Sequence, residues 1–126
     1  MTVVLDASAL LAYIKAEIGQ EIVESAISEA VITTVNWAEV AQKLYAAGSD
    51  AETTLQELRK ADLAVSPFTA KDAIVSAKLW QSTKRYGLSL ADRACLGLAI
   101  QLDVPVLTAD RVWSEIDLPV DVQLIR

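Results

Sequence analysis

The chain has 126 residues, 53% of them apolar, with four glycines, three prolines and a formal net charge of −6. That composition predicts one compact domain spanning residues 1–126 and excludes a disordered chain. There is no histidine and only one cysteine, which excludes a Ser-His-Asp triad, a Cys-His pair, histidine acid–base chemistry and an ordinary zinc site.

In chain order, Val3-Val4-Leu5 reads as a buried strand. Ser8 is placed to cap the next helix, with Leu10, Leu11 and Ile14 at helical spacing. The opening MTVVLDASALLAYIK lacks a basic leader and its apolar run is broken by Asp6, so the expectation is no signal peptide, no membrane span and a cytoplasmic protein. A helix over 20–29 puts Ile22, Val23, Ala26 and Ile27 on one face, and 30–34 is the second strand. Asn36 is expected to start a helix through Trp37, Val40, Ala41, Leu44 and Tyr45 that stops at Gly48. Asp50 opens another helix, and 63–68 is a third strand whose Pro67 marks an edge or an end.

Thr69 with Asp72 has capping-box spacing, and the helix they open is expected to run through Ile74, Ala77, Leu79 and Trp80. Ser89 with Asp92 repeats the spacing ahead of an apolar helix over 93–102, in which Cys95 reads as a buried, inert thiol. Strands over 104–108 and 120–125 complete the chain. Strands separated by one or two helices predict an α/β fold with a parallel sheet covered on both faces. In such sheets a site forms beyond the carboxyl ends of the strands, at the point where strand order reverses.

Four acids fall at that edge: Asp6 after the first strand, Glu39 in a first helical turn, Asp92 beside its capping serine, and Asp110 after the fourth strand. Each alone has an ordinary reading as a cap, a turn residue or a partner of the helix dipole. Together they would repel one another, and one or two Mg²⁺ ions would turn that liability into a site. The net charge argues against a generic nucleic-acid binder. Residues 78–111 soften the objection, holding Lys78, Lys84, Arg85, Arg93 and Arg111 against Asp92, Asp103 and Asp110.

VVLDASALLAYI, ITTVNWAEVAQKL and GLSLADRACLGLAIQLDVPVLTADRVW resemble the motifs of PIN-domain ribonucleases, specifically the VapC-type toxins of bacterial toxin–antitoxin modules. The resemblance covers nearly the whole chain, and residues 49–88 match little beyond their pattern. It implies a three-layer fold with a five-stranded parallel sheet of order 3-2-1-4-5. It implies an endoribonuclease dependent on Mg²⁺ or Mn²⁺, a cognate antitoxin that inserts a segment into the active-site groove, and a homodimer. Asp6, Asp92 and Asp110 would hold the metal, with Glu39 as the fourth acid of the metal site, orienting or deprotonating the attacking water. Ser8 and Thr108 are candidates to orient the carboxylates, against plain capping or turn roles. Arg93, Arg111, Lys84 and Arg85 are candidates to hold RNA, and Trp37 or Trp113 to stack a base, although a tryptophan on a helical face is more often core.

Three alternatives stand beside this reading. An aspartate-based phosphatase of α/β fold also places an Asp after the first strand, but needs a second two residues on, where this chain has Ser8. A receiver domain needs paired acids and a lysine after a late strand, and VPVLTAD offers none. A non-catalytic platform on the same fold is the third.

Overall fold

The computed structural model describes residues 2–126. Five strands, β1 (Val3–Leu5), β2 (Ala30–Thr33), β3 (Ala64–Ser66), β4 (Val106–Thr108) and β5 (Val122–Leu124), form one parallel sheet in the order β3-β2-β1-β4-β5. This is the order the resemblance implies. Side chains alternate across the pleat, so each short apolar strand feeds two cores. Val3, Leu5, Ala30, Ile32 and Leu107 face one of them, and Val4, Val31 and Val106 the other.

The first core is covered by α1 (Ala7–Ile14), α2 (Gln20–Ala26), α3 (Thr34–Ala46) and α4 (Ala51–Lys60). The second is filled by α7 (Leu90–Leu102), with α5 (Ala70–Lys78) packed across it. Gly97 permits that crossing, because a Cβ there would stand 3.2 Å from Val75 Cγ1. A short α6 (Trp80–Thr83) and a 3-10 turn over Lys84–Tyr86 lead back to α7.

Several local expectations give way to tertiary contacts. Helix α1 is capped by Asp6 and not Ser8, because Asp6 Oδ1 accepts the Ala9 N–H at 2.8 Å. Helix α3 begins two residues before Asn36, capped by the Thr33 hydroxyl. The 20–29 helix tightens into a 3-10 turn over Ile27–Glu29, and Ile22 faces outward while Val23 is buried. The helix opened by Thr69 breaks at Leu79. Three helices join β3 to β4, and only a 3-10 helix, Arg111–Glu115, joins β4 to β5. Both capping boxes form, and β3 is an edge strand that ends before Pro67.

The carboxyl end of the chain clasps the α1–α2 turn. Arg126 Nη1 donates to the Ile18 carbonyl at 3.0 Å, and Gly19 (φ +98°) lies against Ile125. A Cβ on Gly19 would sit 2.5 Å from the Ile125 carbonyl oxygen. Gly19→Ala is therefore expected to destabilise the fold by about 2–4 kcal/mol through strain at positive φ and the backbone clash. A lower urea midpoint at unchanged m-value checks this, and an unchanged midpoint would mean that the clasp is open in solution.

Candidate active site

The carboxyl ends of β1, β2 and β4 meet where strand order reverses, and each ends in or leads into a polar residue. Thr33 and Thr108 are the last residues of β2 and β4, and Asp6 directly follows β1. Asp6 is 5% exposed. Its Oδ1 accepts from Ser8 Oγ at 2.7 Å as well as from Ala9 N, and its Oδ2 accepts from Thr108 Oγ1 at 2.5 Å. Burial raises the carboxyl to about 6, against the three hydrogen bonds, and the charge of Asp92 adds to the rise.

Ser8 and Thr108 thus hold Asp6 directly. The same two hydroxyls accept the Ala109 and Asp110 amides at 2.9 and 3.0 Å, which fastens the turn after β4 onto the turn after β1. Asp110 itself is exposed, and its Oδ1 accepts the Val112 amide at 3.1 Å, capping the 3-10 helix.

Glu39 is positioned by a residue to which the sequence assigns no role beyond opening a helix. Asn36, 1% exposed, lies one turn earlier on α3. Its Oδ1 accepts from Thr33 Oγ1 at 2.7 Å. Its Nδ2 donates to Glu39 Oε1 at 2.9 Å and to the Ala91 carbonyl at 3.1 Å. One carboxamide therefore joins the end of β2, the Glu39 carboxylate and the first turn of α7, next to Asp92. The available signal was a polar side chain one helical turn before an acid, the spacing that puts both on one face.

Asp92 is partly buried and completes its capping box, with Oδ2 accepting the Ser89 amide at 3.0 Å. One turn further along α7, Cys95 is fully buried. Its thiol is pushed well up by burial first, and then by the charges of Asp6, Asp92 and Glu39. Asp110 is joined to Asp6 through the Thr108 hydroxyl, and Glu39 to the first turn of the Asp92 helix through Asn36.

Among the described residues the ion pairs are Lys60–Glu57 and Arg126–Glu17, so none of the four acids has a basic partner. Arg93 is turned inward, donating to the Ser76 carbonyl at 3.0 Å. Trp113 is buried, and Trp37 packs against the core beside α4, so neither Trp113 nor Arg93 has the freedom an RNA contact needs. The donor set consists of hard oxygens without nitrogen or sulfur ligands, the chemistry that suits Mg²⁺ or Mn²⁺. Among the described residues no three acids stand close enough in this conformation to share one ion, and Asp92 and Asp110 each spend an oxygen on a helix cap.

Toxin–antitoxin proteins are among the solved structures that this chain resembles in three dimensions. A toxin–antitoxin complex from Klebsiella pneumoniae matches with a TM-score of 0.75 at 18% identity over 95% of this chain and 99% of that one. DNA-bound VapBC from Salmonella typhimurium matches at 0.72 and 17%, over 100% and 99%. VapBC-5 from Mycobacterium tuberculosis matches at 0.63 and 24%, also over 100% and 99%. No curated protein matches the sequence significantly. The model of the PIN domain family matches residues 3–118, and with that family's strand order present in the sheet, the chain belongs to the PIN domain family.

Proposed function

We propose that the protein is an endoribonuclease dependent on Mg²⁺ or Mn²⁺ and the toxin of a VapBC-type module. The observation that carries this reading is the hydrogen-bond network at the strand-reversal edge, which ties Asp6 to the Asp110 turn through Thr108 and Glu39 to the first turn of the Asp92 helix through Asn36, with no basic side chain paired to these acids among the described residues. Asp6, Asp92 and Asp110 would hold the ion directly or through water. When bound, it supplies Lewis-acid polarisation of a phosphoryl oxygen and stabilises charge on the leaving group.

The chain's own residues do the rest. Ser8, Thr108 and the Ala9 amide hold the Asp6 carboxylate in one orientation. Asn36 holds Glu39, which takes a proton from the attacking water. The water oxygen bonds to phosphorus as the bond to the 3′ oxygen breaks, leaving a 5′-phosphate and a 3′-hydroxyl.

The complexes named above support a cognate antitoxin as partner. So does an open groove of about 540 Å³ between α1 and α4, lined by Tyr13, Ile14, Thr54 and Leu58 among others, a shape that suits an apolar helix face. Exposed apolar side chains such as Tyr45, Ile74 and Leu90 support a homodimer. No helix among the described residues is long and apolar enough to cross a membrane, which agrees with a cytoplasmic place of action.

RNA end-mapping with Mg²⁺ and with EDTA tests the reading. New 5′-phosphate ends are expected with Mg²⁺ and none with EDTA, and Asp92→Asn is expected to behave as the EDTA control. Cleavage that persists in EDTA would rule the mechanism out. The caps at Asp92 and Asp110 favour one rival, the non-catalytic platform. It expects Mg²⁺ neither to support cleavage nor to raise the melting temperature.

A further inference from the structure

We propose that the exposed strip over residues 78–86 is a docking surface for single-stranded RNA, with Trp80 stacking a base while Lys84 and Arg85 hold adjoining phosphates. The proposal rests on the ribonuclease reading of the neighbouring site. The strip reads KLWQSTKRY, three basic residues and no acid in a chain of net charge −6. Of the three tryptophans, Trp113 is buried and Trp37 packs on the core, but Trp80 is 50% exposed.

Its ring is already paired with a cation: Lys84 Nζ lies 4.8 Å from the ring centroid. Arg85 repeats the arrangement over Tyr86, also at 4.8 Å, and its Nη2 donates to the Tyr86 hydroxyl at 2.6 Å. The Tyr86 hydroxyl in turn donates to the Glu115 carbonyl at 3.3 Å. Cations alternating with solvent-accessible aromatic rings are what a surface for single strands requires. Every base has a face to stack, and every linkage carries a charge to neutralise. A dry protein interface, by contrast, excludes lysine from its centre.

The placement directs a bound strand toward the acids. The strip leads within three residues to Ser89, the cap of the helix that carries Asp92. Through Tyr86 it is tied to the end of the 3-10 helix that Asp110 opens. Because the four side chains are arranged before binding, less ordering entropy is lost when RNA docks.

The test is the affinity of the full chain for fluorescein-labelled oligouridine in EDTA, measured over a range of salt. Trp80→Ala is expected to weaken binding at least about fivefold, the lower end of a stacked base's contribution, while Trp80→Phe stays near wild type. Lys84→Ala with Arg85→Ala is expected to flatten the slope of log K against log salt by about 0.7 for each phosphate that is no longer neutralised. Equal affinity and slope for wild type and variants would overturn the proposal, as would failure of the wild type to bind. A Trp80→Ala protein that loses self-association by sedimentation but keeps its RNA affinity would also overturn it, and would assign the strip to a second copy of the chain. Cleavage with Mg²⁺ is scored separately. A wild type that binds through Trp80 but never cuts removes the nuclease reading and leaves the docking surface standing.

Discussion

Asp6→Asn is expected to abolish RNA cleavage, by about a thousandfold or more, and yet to make the metal-free protein more stable near neutral pH. The first effect follows from the proposed mechanism, in which the Asp6 carboxylate would hold the metal at the reacting centre. The second follows from burial alone. Asp6 titrates at about 6 in the folded chain and near 3.8 when unfolded. Between those values the native state holds a proton that the unfolded state has lost. Stability therefore falls as pH rises from 3.8 to about 6, and stays reduced above that. The interval corresponds to roughly 3 kcal/mol.

Asparagine removes that penalty and can still accept from Ala9 N and Ser8 Oγ. Its amide would face Thr108 Oγ1, whose proton must turn elsewhere, so part of the gain is lost. A net gain of about 1–2 kcal/mol, or about 5 °C in melting temperature, is expected at about pH 7.5 in EDTA, shrinking toward about pH 4. Mg²⁺ should close the gap by raising the wild type alone. Equal melting temperatures under those EDTA conditions would show that the Asp6 carboxylate is not held in a desolvated state.

The sheet was legible because its cause is local and repeated. Runs such as Val3-Val4-Leu5 and Ala30-Val31-Ile32 are apolar at every position, as a strand buried on both faces requires, and both cores are built from that alternation. The site was legible at the level of which acids end which elements. What each side chain does there was less so, because it depends on partners distant in sequence. Ser8 and Asp6 both suit an N-cap, and the choice was made by Thr108, one hundred and two positions from Asp6, which pins the carboxylate in place. Trp113 stands as a candidate to meet a base, against the commoner core reading that the structure bears out, because a tryptophan in a short 3-10 segment carries no periodic pattern that marks it as core. Trp80 carries no signal of its exposure, because its spacing continues the helix opened by Thr69, whose Ile74 and Ala77 are exposed as well.

Asn36 is the case where the strongest effect was least visible, and Asn36→Ala is expected to cost about 2–4 kcal/mol of stability and to lower cleavage roughly 10- to 100-fold. Truncation leaves the Thr33 hydroxyl without its acceptor and the Ala91 carbonyl without its donor, both at a packed junction of β2, α3 and α7. It also frees the Glu39 carboxylate from the only side-chain bond that orients it among the described residues. Stability and catalysis can be told apart by measuring cleavage well below the melting temperature of the variant. A purely structural residue would lose melting temperature at unchanged kcat, whereas a positioning residue loses kcat at temperatures where the variant is fully folded. Asn36→Asp sharpens the distinction. It still accepts from Thr33 but cannot donate, and it sets a second carboxylate beside Glu39, a pair that resists ionising together. Its cleavage is expected to rise with pH over a higher range than in the wild type, and a profile identical to the wild type's would show that Glu39 acts without Asn36.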